Sequence, residues 1–167
     1  MRDIASSTDG AAIVRRCCLA VLLVAAALPG TGWAQNPDFT ASLARWKHAA
    51  LASYEYGYRK YCECHPESPP ETIVTVRDGQ VRAVRHRPVG YDREVPAEAK
   101  NLKYYWTVDG LFALLRAAFE RGATVRATYD PTVGYPTSID IDYDADFIGD
   151  EVDLKITGVT PLEPQPE

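Results

Sequence analysis

The sequence predicts an α+β domain: a mostly antiparallel sheet of about six strands with two helices, in the order α-β-β-β-α-β-β-β. Three observations carry this prediction. Two stretches repeat apolar residues at three- and four-residue spacing, several others alternate apolar with polar residues, and an Asp-Gly pair joins two of the alternating runs. The order also admits two tandem helix-plus-three-strand halves, although no sequence repeat relates them.

The first helix is "PDFTASLARWKHAALAS", where Phe39, Leu43, Trp46 and Ala50 make the apolar stripe and Asp38 or Thr40 can cap the start. His48 lies about 200° round the helix from Trp46 and faces water. In "YEYGYRKYCEC", Tyr54, Tyr56 and Tyr58 alternate onto one face, and the alternation continues through Cys62 and Cys64. "TIVTVRDGQVRAVRHR" is a hairpin about Asp78-Gly79, with Val76 opposite Val81 and Val74 opposite Ala83 on the core face. That register leaves Thr75, Arg82 and His86 on the other, wet face. Residues 88–103 are polar and without period, a long loop for a compact domain.

"DGLFALLRAAFERG" is the second helix, with Leu111, Leu115, Ala118 and Phe119 as its stripe and Gly122 as its end. Three strands follow. Their inward sets are Val125, Ala127 and Tyr129, then Ile139, Ile141 and Tyr143, then Val152, Leu154 and Ile156. "DPTVGYP" supplies the turn between the first two.

Residues 1–34 read as a signal peptide. Arg15 and Arg16 precede the apolar run Cys17 to Leu28, and Gly32 and Ala34 stand where a signal peptidase cuts. The apolar run is too short for a membrane span, which takes roughly 20 residues. Cleavage after Ala34 leaves a single domain over residues 35–162 and a disordered, proline-rich tail over 163–167. The expected product is soluble, with no span left, and lies in the periplasm or outside the cell. Removing residues 1–34 takes away Arg2, Arg15, Arg16, Asp3 and Asp9. The 18 basic and 23 acidic side chains thus become 15 and 21, a net charge of −6. An acidic balance of this kind argues against nucleic acid as a partner.

Cys62 and Cys64 are the only mature thiols, so in an oxidising compartment an intramolecular disulfide can join only this pair. Residues i and i+2 of a strand lie roughly 6.6 Å apart at Cα, near the limit for a disulfide, so the bond requires a bend. Such a small ring removes little unfolded-state entropy. Three readings stay open: a structural disulfide, a thiol-exchange site, and a soft-metal site of Cys62, Cys64 and His65 that His86 could complete.

"DIDYDADFIGDE" places Asp140, Asp142, Asp144, Asp146 and Glu151 at calcium-loop positions. Ala145 stands where the turn glycine belongs, and no helices flank the run. As a strand, the run alternates Asp140 and Asp142, its wet face, with Ile139, Ile141 and Tyr143, and Arg126 and Lys155 on neighbouring strands can partner the two aspartates. Arg82, Arg85, Arg87 and Arg93 with His86 read as a solvated basic face. Tyr104, Tyr105, Trp106 and Tyr135 read as core or binding-surface aromatics. No phosphate loop, nucleophile elbow or zinc-protease helix is present, and no metal, cofactor or catalytic residue is assigned.

"RWKHAALASYEYGYRKYCECHPE", "VTVRDGQV", "YYWTVDGLFALLRAAFERGA" and "TYDPTVGYPTSIDIDY" together resemble the bacterial domain-of-unknown-function family numbered 6174, from about Arg45 to Leu162. The most specific parts are the Cys-x-Cys-x-Pro-Glu run at Cys62 to Glu67 and the Gly134-Tyr135-Pro136 turn. The resemblance implies an exported envelope protein and no particular activity. Relatives often carry an aromatic residue where this chain has Glu63. The reading that follows is a non-catalytic binding or structural module for an envelope partner or small ligand. The alternative is a thiol-redox or soft-metal protein centred on Cys62 and Cys64.

Overall fold

The computed structural model describes residues 36–61, 70–90, 92–147 and 149–163. Residues 1–35, including the stretch read as a signal peptide, together with Cys62, Cys64, His65 and the end of the tail, lie outside the described residues. The elements run α1 (Pro37–Ala49), β1 (Tyr54–Tyr61), β2 (Glu71–Arg77), β3 (Gln80–Arg87), β4 (Val95–Pro96), a 3-10 helix (Ala99–Tyr104), α2 (Val108–Arg121), β5 (Thr124–Tyr129), β6 (Pro136–Asp142) and β7 (Val152–Pro161). The sheet order is β4-β3-β2-β1-β7-β6-β5, and every neighbouring pair is antiparallel.

The α+β class holds, with seven strands among the described residues rather than about six. The addition is β4, which pairs with Arg85 and His86 from within the stretch read as a loop. Two residues are too few to show a period. The first strand of the N-terminal meander pairs with the last strand of the C-terminal one, so β1 and β7 form the centre of the sheet.

The N-cap of α1 lies two residues before Asp38 and four before Thr40, the caps expected. Asn36 Oδ1 accepts the Phe39 N–H, and Pro37 occupies the first turn, where its missing N–H costs nothing. Ala50 does not join the stripe; it is the exposed C-cap, in the left-handed region at φ 50°. Helix α2 buries Leu111, Leu115 and Ala118 as the spacing predicts, with Phe119 partly buried and Phe112 buried beside them. Both helices cover the same face of the sheet. Phe39 meets Phe112 and Phe119 edge-on, Trp46 meets Tyr54 edge-on, and Phe112 stacks on Tyr129.

Tyr54, Tyr56 and Tyr58 form the centre of that covered face. The Tyr54 hydroxyl accepts the Val108 N–H at 2.9 Å, and the Tyr56 hydroxyl donates to the Trp106 carbonyl at 2.5 Å. The start of α2 is thereby held on β1, and buried hydroxyls find the partners they need. Each large side chain buried here contributes about 1.5–3 kcal/mol. From the C-terminal strands, Ile139, Ile141, Leu154 and Ile156 are buried, while Val125, Ala127, Tyr129, Tyr143 and Val152 are partly so.

The hairpin departs from the alternation at one point. Asp78 and Gly79 both take positive φ, as a two-residue turn requires, and Val76 faces Val81. A bulge between Thr75 and Val76 then sets Val74 against Val84 and Thr75 against Ala83. One extra residue exchanges the two faces beyond it. Val84 therefore takes the core position expected of Ala83, and His86 moves to the covered face.

At the β5–β6 turn, Asp130 Oδ1 accepts the N–H groups of Thr132 and Val133. Gly134 follows at φ 92°, and a Cβ there would stand 2.3 Å from the Ser42 carbonyl oxygen and 2.8 Å from Arg45 Cβ. The turn can thus press against α1 only without a side chain. Among the described residues, no helix is long and apolar enough to cross a membrane.

Candidate functional site

With both helices on one face, alternation sends Glu55, Gly57 and Arg59 of β1 to the other, which no helix among the described residues covers. Their neighbours there are Thr75, Ile73 and Glu71 on β2 and Ala83, Arg85 and Arg87 on β3. The charges form one connected row. Arg85 donates to Glu55 Oε2 at 2.9 Å and to Glu94 Oε2 at 2.7 Å. Arg87 donates to Glu94 Oε1 at 2.6 Å and to Glu71 Oε2 at 2.7 Å. Thr75 donates to Glu55 Oε2 at 3.1 Å, and Thr157 to Glu71 Oε1 at 2.7 Å.

Hydrogen bonding from Arg87, reinforced by Arg85, holds the Glu94 carboxyl below its ordinary range. Pairs this exposed each contribute about 0–1 kcal/mol, so the row adds little to stability and chiefly fixes where its groups point.

A depression lies at the middle of this face. Gly57 on β1 sits directly opposite Gly158 on β7, and a bulge at Gly57/Tyr58 leaves Thr157 as the extra residue. A Cβ on Gly57 would come within 2.4 Å of Thr157 Oγ1 and 2.8 Å of Glu71 Oε1. Only glycine at 57 allows the Thr157–Glu71 hydrogen bond. The resulting hollow has a volume of about 210 Å³, bounded by Glu55, Glu71, Arg87, Thr157 and Thr160, with Ile73 below. Ile73 is buried yet stands apart from the main core.

A larger groove of about 390 Å³ follows the β5 edge past Asp38, Arg126, Tyr129, Asp140 and Lys155. Its charges other than Asp38 are engaged: Arg126 lies 3.8 Å from Asp140, and Lys155 donates to Ser138 and lies 3.6 Å from Asp153. It borders an edge strand, whereas the open-face hollow is built on the two central ones.

The residues singled out from sequence fall as follows. Cys62 and Cys64 belong to residues 62–69, outside the described residues. His86 is not wet: its Nδ1 lies 3.2 Å from Thr72 Oγ1 and its Nε2 3.0 Å from the Tyr105 hydroxyl, so both nitrogens have partners. His48 is exposed, as its helical angle predicts. Arg85 and Arg87 are not a solvated basic face but are paired with three glutamates, while Arg82 and Arg93 are exposed.

In the acidic run, Asp144 Oδ1 accepts the Asp146 N–H and Glu151 Oε2 accepts the Gly149 N–H, which are turn contacts. Asp140 faces Arg126 as expected, but Lys155 sits nearer Asp153 than either predicted aspartate. Burial, then Glu151, Asp142 and Asp144, push the Asp150 carboxyl above its ordinary value. Among the described residues, no group of three or more His, Cys, Asp or Glu side chains is placed to hold a metal ion. Tyr104 is 67% exposed beneath Lys103, while Tyr105, Trp106 and Tyr135 are partly buried.

Sequence reasoning missed Glu55, Glu71, Glu94, Gly57 and Gly158. The alternation in "YEYGY" was a signal that Glu55 and Gly57 share the face opposite the tyrosines. A family model described as "Family of unknown function (DUF6174)" matches residues 38–161. The chain belongs to this family. The match spans every strand and both helices apart from the first residue of α1, so the open face and its hollow lie within the family domain. No curated protein matches the chain, and no solved structure matches it.

Proposed function

We propose that this member of DUF6174 is an exported, soluble, non-catalytic binding module of the bacterial envelope, and that it meets its partner with the open face of the sheet. One observation supports the reading above the others: a face free of helices among the described residues carries a row of charges held in fixed positions around a polar hollow. Pre-set polar groups lower the ordering cost of binding, and complementary charge selects the partner. Export rests on the basic flank, short apolar run and Gly32-x-Ala34 site at the N-terminus. Cys62 and Cys64 are assigned to a disulfide joining them to each other, with a structural role.

The test places a photo-crosslinking residue at Ala83 or Thr160 on the open face, or at exposed Ala113 on α2, in the protein expressed in its own cells. A discrete adduct from Ala83 and Thr160, absent from Ala113 and from the Arg87→Glu background, is the expected result. Adducts of equal yield from all three positions, or from none, overturn the reading. N-terminal sequencing of the exported product should begin at Gln35. Finding residues 2–34 still attached contradicts the export assignment.

A further inference from the structure

We infer that the hollow over Gly57 and Gly158 is a binding site for a primary ammonium group, an inference that rests on the open face being the binding face. The argument begins from what its walls still offer. Glu55 binds Arg85 and Thr75 through the same oxygen, Oε2, so Oε1 keeps its acceptor capacity. Glu71 uses Oε2 for Arg87 and Oε1 for Thr157, but each carboxylate oxygen has two lone pairs. The hydroxyls of Thr157 and Thr160 can accept as well. Among the described residues lining the hollow, the one cation, Arg87, is already divided between Glu71 and Glu94. The hollow therefore presents unused acceptors, while Arg85 and Arg87 beside it are already bound to glutamates.

The shape of those acceptors selects among cations. A guanidinium seeks both oxygens of one carboxylate in a planar fork. Neither glutamate offers an unengaged fork: Glu55 has only Oε1 left, and Arg87 and Thr157 already take one lone pair of each Glu71 oxygen, leaving single acceptors. A divalent ion is poorly served by two carboxylates held apart by their own arginines, and an anion would meet carboxylates first. A compact –NH₃⁺ with three rotatable donors matches separated single acceptors. The 210 Å³ volume admits an aminoalkyl arm and little more. Gly57 is what makes the floor: any side chain there fills the hollow and displaces Thr157 from Glu71.

The same chemistry can come from a free diamine or from a lysine side chain of a partner protein, and the experiment separates the two. The mature protein is titrated with cadaverine, with N-acetyl-lysine methylamide, and with tetramethylammonium as a cation that cannot donate, while amide shifts are followed by NMR. Saturable shifts at Gly57, Gly158 and Thr160 with the two amines, and none with tetramethylammonium, are expected. Tighter binding of cadaverine points to a free diamine, and tighter binding of the lysine amide to a protein side chain; either supports the site.

Glu55→Gln should weaken binding about tenfold, the loss of one charge-assisted hydrogen bond. Thr160→Val, at an exposed position that leaves the fold alone, should weaken it by a smaller factor. Absent or unsaturable shifts, equal shifts with tetramethylammonium, or affinity unchanged in both variants overturn the inference. Open-face crosslinks together with no ammonium response remove this inference alone; loss of both removes the binding-face reading too.

Discussion

Raising the pH should unfold this protein through its tyrosine row. Tyr54 and Tyr58 are 1% and 6% exposed, and burial pushes each hydroxyl up to about 12; burial raises Tyr56 as well. In the unfolded chain each ionises near 10. The sign follows from which state holds the proton. Between the two values the folded form keeps protons that the unfolded form has lost, so stability is intact below pH 10 and falls as pH rises toward 12. Two units per group is about 2.7 kcal/mol, so Tyr54 and Tyr58 together remove about 5 kcal/mol. That is comparable to the whole stability of a domain, about 5–15 kcal/mol.

The assay follows tyrosinate absorbance and far-UV circular dichroism on one sample as the pH is raised. The ionisation of Tyr54, Tyr56 and Tyr58 should coincide with loss of the sheet signal. Tyr58→Phe removes one proton-linked contribution and keeps the ring against Tyr56 and Trp106, so its unfolding midpoint should move to higher pH. If all 10 tyrosines ionise while the sheet signal stays native, the burial argument fails.

Gly57→Ala should cost about 1–3 kcal/mol in urea unfolding, because its Cβ cannot coexist with the Thr157–Glu71 hydrogen bond; an unchanged midpoint would show that the bulge relaxes freely. Millimolar calcium should leave the Tm almost unchanged, whereas a site filled at a hundred times its Kd would add about 2.7 kcal/mol. A rise of several degrees that Glu151→Gln abolishes would restore the calcium loop. Mass spectrometry after non-reducing alkylation should find no free thiol at Cys62 or Cys64, and two alkylated cysteines would reject the disulfide. Changing both to Ser should cost on the order of 1 kcal/mol, against about 2–5 kcal/mol for a typical native disulfide in a small secreted domain, because the ring is so small.

Periodicity was enough to read much of the fold. Tyr54, Tyr56 and Tyr58 betray a strand, Leu111, Leu115 and Ala118 a helix, and Asp78-Gly79 a turn, because each signal is written in residues within one element. The caps of α1 were off by a few positions, since Asn36 and Pro37 act through a single local hydrogen bond and a missing one, which no period records. β4 was missed because two residues gain strand geometry only from the neighbour they pair with.

What the chain alone determined is the class, the order of the long elements and most of the inward-facing residues. These follow from side-chain spacing and the backbone's two repeats, 3.6 and 2. The tertiary structure decided the rest. It joined β1 to β7 across about a hundred residues, placed bulges at Thr75/Val76 and Gly57/Tyr58, and so turned His86 inward and brought Thr157 to Glu71. The reason is physical. A bulge changes which face every later residue occupies, and the partners of Glu55, Glu71 and Glu94 come from strands that only the closed sheet makes neighbours.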